Sequence, residues 1–443
     1  MFSLLNSKLN HIPSLIIVSL SRFQNLTFYQ FSTKPIAAQH SPDFEELCNI
    51  VSSGVGGLDD LEASLDRSKA SITPSLVTQI LDSCKTQVPT RRLLRFFSWS
   101  KKNLDCELKD EAFNYAVRVF AEKKDGLALD ILVSDFQKED RIMETETFSL
   151  VAETLVKLGR EDEAVGIFKN LDKFKCSKDR EAVTAIVHAL CSKGHAKKAE
   201  GVVWHHSSKI SGVETCIYKS LLHGWCVHGN VKEARRILNE MKSLGMPRDL
   251  FCYNTLLRCL CRRNLRFNPS ALVLEATNLM MEMRSNEVQP TAASFNILLS
   301  CLGKTRRVKE AQRILSKMRK FGCFPDCASY YLVVRVLYLS GRFGTGNKVV
   351  DEMLKEGIML EPRFYHDLIG VLCGVERIGH ALELFQRMKK YGTGDYGPVY
   401  DLLILKLCKG GEFEKGRLLW NEAMTRGIIL QCSSDVLDPS ITE

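Results

Sequence analysis

The stretch Ala292–Asp326, AASFNILLSCLGKTRRVKEAQRILSKMRKFGCFPD, decides how this chain folds. In its first half Phe295, Ile297, Leu298, Cys301 and Leu302 recur at three- and four-residue steps, the period of a helix with one buried face. Gly303 to Arg307 is polar and reads as a turn. Val308, Ala311, Ile314, Leu315 and Met318 then repeat the apolar stripe, and Gly322 with Pro325 stop the second helix. The segment is a helix–turn–helix hairpin. One hairpin cannot bury both of its stripes, so it needs neighbours of the same kind.

The chain supplies them at a period of 35 residues. Small residues recur at one depth of the second helix: Ala164, Ala199, Ala234, Ala311, Gly346, Ala381 and Gly416. Neighbours in that series stand 35 apart except Ala234 and Ala311, 77 apart, and the gap holds one unit of 42 residues whose small residue is Ala276. Seven positions after the small residue come Met241, Met283, Met318, Met353 and Met388, and four further on Gly245, Gly322, Gly357, Gly392 and Gly427. Gly159, Gly194, Gly229, Gly341 and Gly411 mark the turn between helices. Small residues let two helices approach, methionine fills the space beside them, and glycine supplies turn backbone.

The units run 110–144, 145–179, 180–214, 215–249, 250–291, 292–326, 327–361, 362–396 and 397–431. The seven-residue surplus of 250–291 lies around Asn264 to Ser270, where it predicts a longer loop between the helices. Trp204, His205 and His206 stand where apolar residues are expected and make 180–214 irregular. Residues 75–109, with Phe96, Phe97 and Trp99, read as a degenerate capping unit; 32–74 read as a linker with one short helix, and 432–443 as a polar tail. Residues 1–42 hold no Asp or Glu, several serines, and the basic Lys8, Arg22 and Lys34. That composition predicts a mitochondrial targeting presequence over 1–31, with a chloroplast transit peptide as the alternative.

At 443 residues the chain is too long for one core but ordinary for a solenoid. A net charge of +9 suits an anionic partner and equally a basic scaffold. The sixteen cysteines form no C-x-x-C pair, and many, such as Cys191, Cys226, Cys301, Cys373 and Cys408, lie in the apolar stripes; they read as buried apolar residues in a reducing compartment. No metal site or cofactor is expected. Nor does any apolar run reach the ~18–20 residues of a membrane-spanning helix.

Tyr253-Asn-Thr-Leu-Leu257 and Phe295-Asn-Ile-Leu-Leu299 open first helices, Val-Lys-Glu-Ala opens second helices at Val231 and Val308, and Gly-Cys-Phe-Pro-Asp closes a unit at Asp326. On these residues the chain resembles the pentatricopeptide repeat (PPR) proteins of the plain class, of plant organellar type, over about 75–431. The resemblance implies an all-α, right-handed superhelical solenoid of about ten helix–turn–helix hairpins.

The fifth residue of several units is polar between apolar neighbours: Asn114, Ser149, Thr184, Asn254 and Asn296. A polar position repeating every 35 residues makes a ladder. The resemblance implies that this residue and the last of the unit read one RNA base together: Asn296 with Asp326 for uracil, Ser149 with Asp179 for guanine, Asn114 with Glu144 and Asn254 with Thr291 for pyrimidines, and Thr184 with Glu214 for a base left open. Lys219, Tyr331, His366 and Asp401 depart from the pattern. Lys157, Arg262, Lys304 and Lys409 share a column near the end of the first helix, placed either to meet phosphate or to sit in solvent against the helix dipole.

Catalytic signals are missing. There is no His-x-Glu and no G-x-x-x-x-G-K-[ST] phosphate loop. Two function classes follow. One is a non-catalytic, sequence-selective binder of single-stranded organellar RNA in transcript processing, stability, splicing or translation, with other RNA-processing or ribosomal proteins as further partners. The other is a non-catalytic structural scaffold, such as an organellar ribosome-associated subunit or a protein–protein interaction solenoid.

Overall fold

The computed structural model describes residues 41–53, 56–104, 108–206, 214–358, 361–391 and 396–438, and every regular element among them is helical. The predicted presequence, 1–31, lies outside the described residues. The chain divides into two compact units, Met1–Leu108 and Lys109–Glu443.

The first unit is two hairpins: α1 (Pro42–Ser52) with α2 (Leu58–Arg67), and α3 (Pro74–Cys84) with α4 (Thr90–Asn103). The stretch expected to be a linker with one short helix therefore holds two helices. Leu61 and Leu65 of α2 are fully buried, and Asp66 accepts a 2.6 Å hydrogen bond from Trp99 Nε1, which ties α2 to α4. Ser41 and Thr73 cap α1 and α3 just ahead of a proline at the first helical position, a strong start signal.

The second unit carries nine helix pairs among its described residues. They are α5 (Asp110–Glu122) and α6 (Gly126–Lys138), α7 (Thr145–Lys157) and α8 (Glu161–Lys169), and α9 (Arg180–Ser192) and α10 (Ala196–His205). Next come α11 (Thr215–His228) and α12 (Val231–Ser243), α13 (Leu250–Phe267) and α14 (Leu272–Ser285), and α15 (Ala292–Lys304) and α16 (Val308–Lys320). The last are α17 (Cys327–Leu339) and α18 (Phe343–Lys355), α19 (Pro362–Gly374) and α20 (Ile378–Lys390), and α21 (Gly397–Lys409) and α22 (Phe413–Thr425). Each first helix packs on its own partner and on the first helix of the next pair, so the first helices form one continuous row. That arrangement is a solenoid in which each hairpin is buried by its neighbours.

The sequence columns mark the seams. Ala164, Ala199, Ala234, Ala276, Ala311 and Ala381 are buried, as are the five methionines that follow them. The turn glycines 159, 194, 229, 341 and 411 all have positive φ, and so do Gly245, Gly322, Gly357 and Gly427 at the helix ends; Gly392 lies outside the described residues. At three of the turn positions that lack glycine, Lys124, Arg306 and Glu376, the same left-handed backbone persists. Left-handed backbone costs a side-chain-bearing residue about 1–2 kcal/mol, and glycine returns roughly 0.5–1 of that through the entropy of the unfolded chain. Exposed Glu376, at φ 59°, is thus expected to gain up to about 1 kcal/mol on substitution by glycine. A raised thermal midpoint for Glu376→Gly is the expected result; an unchanged or lowered one counts against this account of the turn.

One expectation is corrected. The surplus of 250–291 is not chiefly loop: α13 runs on to Phe267, 18 residues against 13 or 14 in the other first helices of this unit. Asn264 is buried and donates to Glu275 Oε2 at 3.0 Å, where Arg263 also arrives at 2.6 Å. Those bonds tie the added turn to α14, and only a short 3₁₀ turn, Pro269–Ala271, connects the two helices.

No helix of the described residues is long and apolar enough to cross a membrane, and no group of three or more His, Cys, Asp or Glu among them is placed to hold a metal ion. His205 and His206 instead bond the Gly201 and Val202 carbonyls of their own helix, at 2.7 and 3.0 Å.

Candidate nucleic-acid interface

The last residue of every unit but the ninth is the N-cap of the next first helix, and the fifth residue lies one turn inside its own. Because the first helices stack, these two positions come together along one edge of the row at several of the steps.

Asn296 and Asp326 are in contact: Asn296 Nδ2 donates to the Asp326 carboxylate at 3.0 and 3.3 Å. Asp326 also caps α17, accepting from Ser329 N–H at 2.7 Å. Ser329 is buried, with Oγ 2.7 Å from Asn296 Oδ1 and 2.8 Å from Asp326 Oδ1; its single proton serves one of them at a time. A carboxylate only accepts, so the Asn296 amide must turn its nitrogen toward Asp326. The pair then offers solvent a second amide N–H beside a carboxylate oxygen, a donor and an acceptor side by side. A pyrimidine's Watson–Crick edge presents the complementary pattern.

The same edge recurs with other residues. Asn254 Oδ1 accepts from buried Ser294 Oγ at 2.7 Å, and Ser294 Oγ accepts from the Thr291 N–H at 3.3 Å, so Asn254 and Thr291 are joined through a serine. Asp179 caps α9 at 2.9 Å and accepts from Ser177 Oγ at 2.8 Å. Burial opposes ionisation of Asp179, but these bonds outweigh it and hold its carboxyl below the usual range. Ser149 is half-buried on α7. Thr184 Oγ1 donates to its own helix at the Arg180 carbonyl, 2.9 Å away, and Glu214 pairs with Arg180.

Asn114 differs. It is 1% exposed, donates to the Asp110 and Ile142 carbonyls at 2.9 Å each, and accepts from Glu144 N–H at 3.0 Å. Its amide is satisfied by backbone, and the polar group that reaches solvent at this step is half-buried Glu144, paired with Arg118 at 2.7 Å.

The residues that depart from the pattern occupy the same place. Lys219 Nζ bonds Asp249 at 2.6 Å, which raises the lysine pKa. His366 meets the Tyr396 ring edge-on with centroids 6.0 Å apart. Asp401 accepts from the N–H groups of Gln431 and Cys432 at 3.0 and 3.1 Å. Tyr331 turns instead to Phe364, 6.1 Å away.

In the cation column Lys157 pairs with Glu153 at 2.6 Å. Arg262, Lys304 and Lys409 are exposed, with no carboxylate partner among the described residues. The sequence reading missed Ser294 and Ser329, although a serine three residues after Thr291 or Asp326 is a capping-box signal.

A row of stacked helix hairpins, each buried by its neighbours, defines an α-solenoid of repeats. The chain belongs to the pentatricopeptide repeat family. A mitochondrial pentatricopeptide repeat-containing protein of Arabidopsis thaliana is 58% identical to it over 431 residues, 96% of this chain and 88% of that protein. The PPR repeat family profile matches residues 213–262 and 290–339, and the PPR repeat profile 364–393. A small ribosomal subunit protein of Arabidopsis thaliana is 29% identical over 419 residues, covering 92% of this chain and 79% of its own. Among solved structures, PPR10 in complex with an 18-nucleotide RNA element aligns with 87% of this chain at 17% identity and a TM-score of 0.46; the chain spans 64% of that protein. Yeast Rmd9p with a 16-nucleotide target RNA aligns at 12% identity and a TM-score of 0.41, over 88% of each chain.

Proposed function

We propose that this protein binds single-stranded RNA sequence-selectively in the mitochondrion and does no chemistry of its own. Its place is in the processing, stability, splicing or translation of organellar transcripts. The observation that carries the reading is the Asn296–Asp326–Ser329 cluster, a solvent-facing donor and acceptor held in fixed orientation on a repeat that reads one base per unit in this family. The mitochondrial location is supported by the 58% identical mitochondrial relative and by the acid-free residues 1–42.

A second reading, a ribosomal scaffold, is favoured by the similarity to a small ribosomal subunit protein and by the ladder positions satisfied within the protein itself, Asn114 and Asp401. Crosslinking in the organelle followed by sequencing of the bound RNA separates the two. Recovery of one or a few transcript segments of common sequence supports the RNA reader. Recovery of ribosomal RNA alone, with the protein sedimenting on ribosomal subunits, supports the scaffold.

A further inference from the structure

The lengthened helix α13 carries a row of cations beyond its ladder residue Asn254. Asn254, Arg258, Arg262 and Arg266 follow one another at four-residue steps along it. Each step turns by about 40°, so the four side chains form a slanting strip rather than scattering around the helix. From Arg258 to Arg266 the strip is about 12 Å long, room for more than one phosphate.

The three arginines reach solvent and have no carboxylate partner among the described residues, whereas Arg263 between them pairs with Glu275 at 2.6 Å. Their surroundings are of like sign. Desolvation first, and Arg262 second, lower the pKa of Arg258; desolvation, then His188, Arg258 and Arg262, lower that of His223 on the preceding first helix. Lys304, on the following one, is also exposed without a carboxylate partner. Cations held together without counter-charge are stabilised by an anion that binds across them.

The strip ends at Phe267, which is 77% exposed. The Arg266 guanidinium lies 5.9 Å from its ring centroid. The added turn is anchored at both sides, by Asn264 and Arg263 to Glu275 and by the Arg307 guanidinium to the Pro269 carbonyl. An aromatic face fixed in solvent beside a guanidinium, at the end of an arginine strip, combines the two elements that hold single-stranded nucleic acid: a stacking surface and a cationic track.

We propose that the added turn of α13 is an extra nucleotide-binding platform, where Phe267 stacks a base and Arg258, Arg262 and Arg266 hold the adjoining phosphates of single-stranded RNA. The site rests on the RNA-binding reading above and lies outside the one-pair-per-unit ladder. Its contribution is independent of base identity, because every base has a stacking face.

The test uses the full chain and RNA oligonucleotides of selected and of scrambled sequence, with binding measured across a salt series. Phe267→Ala is expected to weaken both RNAs by roughly tenfold, the loss of one base stack, and Phe267→Trp to restore binding. Arg258→Gln/Arg262→Gln/Arg266→Gln is expected to reduce the slope of log affinity against log salt by about 2, three phosphates at ~0.7 each. The control is Arg313→Gln/Lys317→Gln/Lys320→Gln, which removes as many charges from second helix α16 and is expected to leave the slope nearly unchanged. Circular dichroism identifies variants that fail to fold. Overturning results are unchanged binding by Phe267→Ala, or an equal slope change in both triple variants, while the unaltered protein still binds RNA. Failure of the unaltered protein to bind any RNA overturns the platform together with the ladder reading.

Discussion

Replacing Asn296 with alanine is expected to lower affinity for the preferred RNA by about 1–3 kcal/mol, the range for a good base contact, and to leave scrambled RNA almost untouched. Asn296 makes its contacts through Asp326 and Ser329, and none of the three is a core apolar residue. The substitution therefore removes the donor that faces solvent without opening a cavity. Ser329→Ala is the companion: it leaves Asn296 Oδ1 without its 2.7 Å donor, so selectivity falls while the amide itself remains. Lys304→Ala gives the opposite signature, weakening all RNAs alike and lowering the salt slope by about 0.7. Quantitative binding on selected and scrambled RNA reads all three. An Asn296→Ala protein that keeps its full preference would show that this unit reads no base.

Gly346→Ala is expected to destabilise the protein by about 1–3 kcal/mol through overpacking. A Cβ at Gly346 would stand 2.4 Å from Tyr338 Cε1 and 2.7 Å from Cδ1. The Tyr338 ring is 1% exposed and its hydroxyl donates to Asn347 Oδ1 at 2.6 Å, so it is not free to swing aside. Two residues earlier on the same helix, a Cβ at Gly344 would meet nothing within 4 Å. Gly344→Ala is therefore expected to stabilise by roughly 0.5–1 kcal/mol, the helix preference of alanine over glycine. Denaturant melts of the two variants should move in opposite directions. If both move the same way, the close approach of α17 and α18 is not what Gly346 provides.

What was legible in the sequence is what repeats. The alanine, methionine and glycine columns placed the helix seams and turns, because a solenoid applies the same packing constraint every 35 residues. What escaped is what happens once. The extension of α13 depends on Asn264 meeting Glu275 across a turn, a contact no periodicity announces. Helix α2 is a short acidic segment behind a glycine run, with only Leu61 and Leu65 fully buried, too few for a clear stripe. The candidate ladder was legible in position but not in availability. Asn114 and Asn296 are the same residue type in the same column, yet one is buried against backbone and the other faces solvent. That difference is set by the chain packed opposite, where the Ile142 carbonyl reaches Asn114 and the Asp326 side chain reaches Asn296.

Asp326, Asp249 and Asp179 sit at the ladder and also start a helix, each accepting from the N–H three residues on. At these three steps the residue answers to two grammars, whereas Glu144, Glu214, Glu361 and Tyr396 stand at the same position without a side-chain cap. Asp, Asn, Ser and Thr cap helices well, while apolar residues do not and forfeit about 1 kcal/mol. At a step that relies on such a cap, the helix start itself narrows the choice of residue. If Asp326 reads a base as proposed, Asp326→Asn or Asp326→Thr changes the letter and leaves the start of α17 intact, whereas Asp326→Leu erases the letter and loosens the page on which the next one is printed.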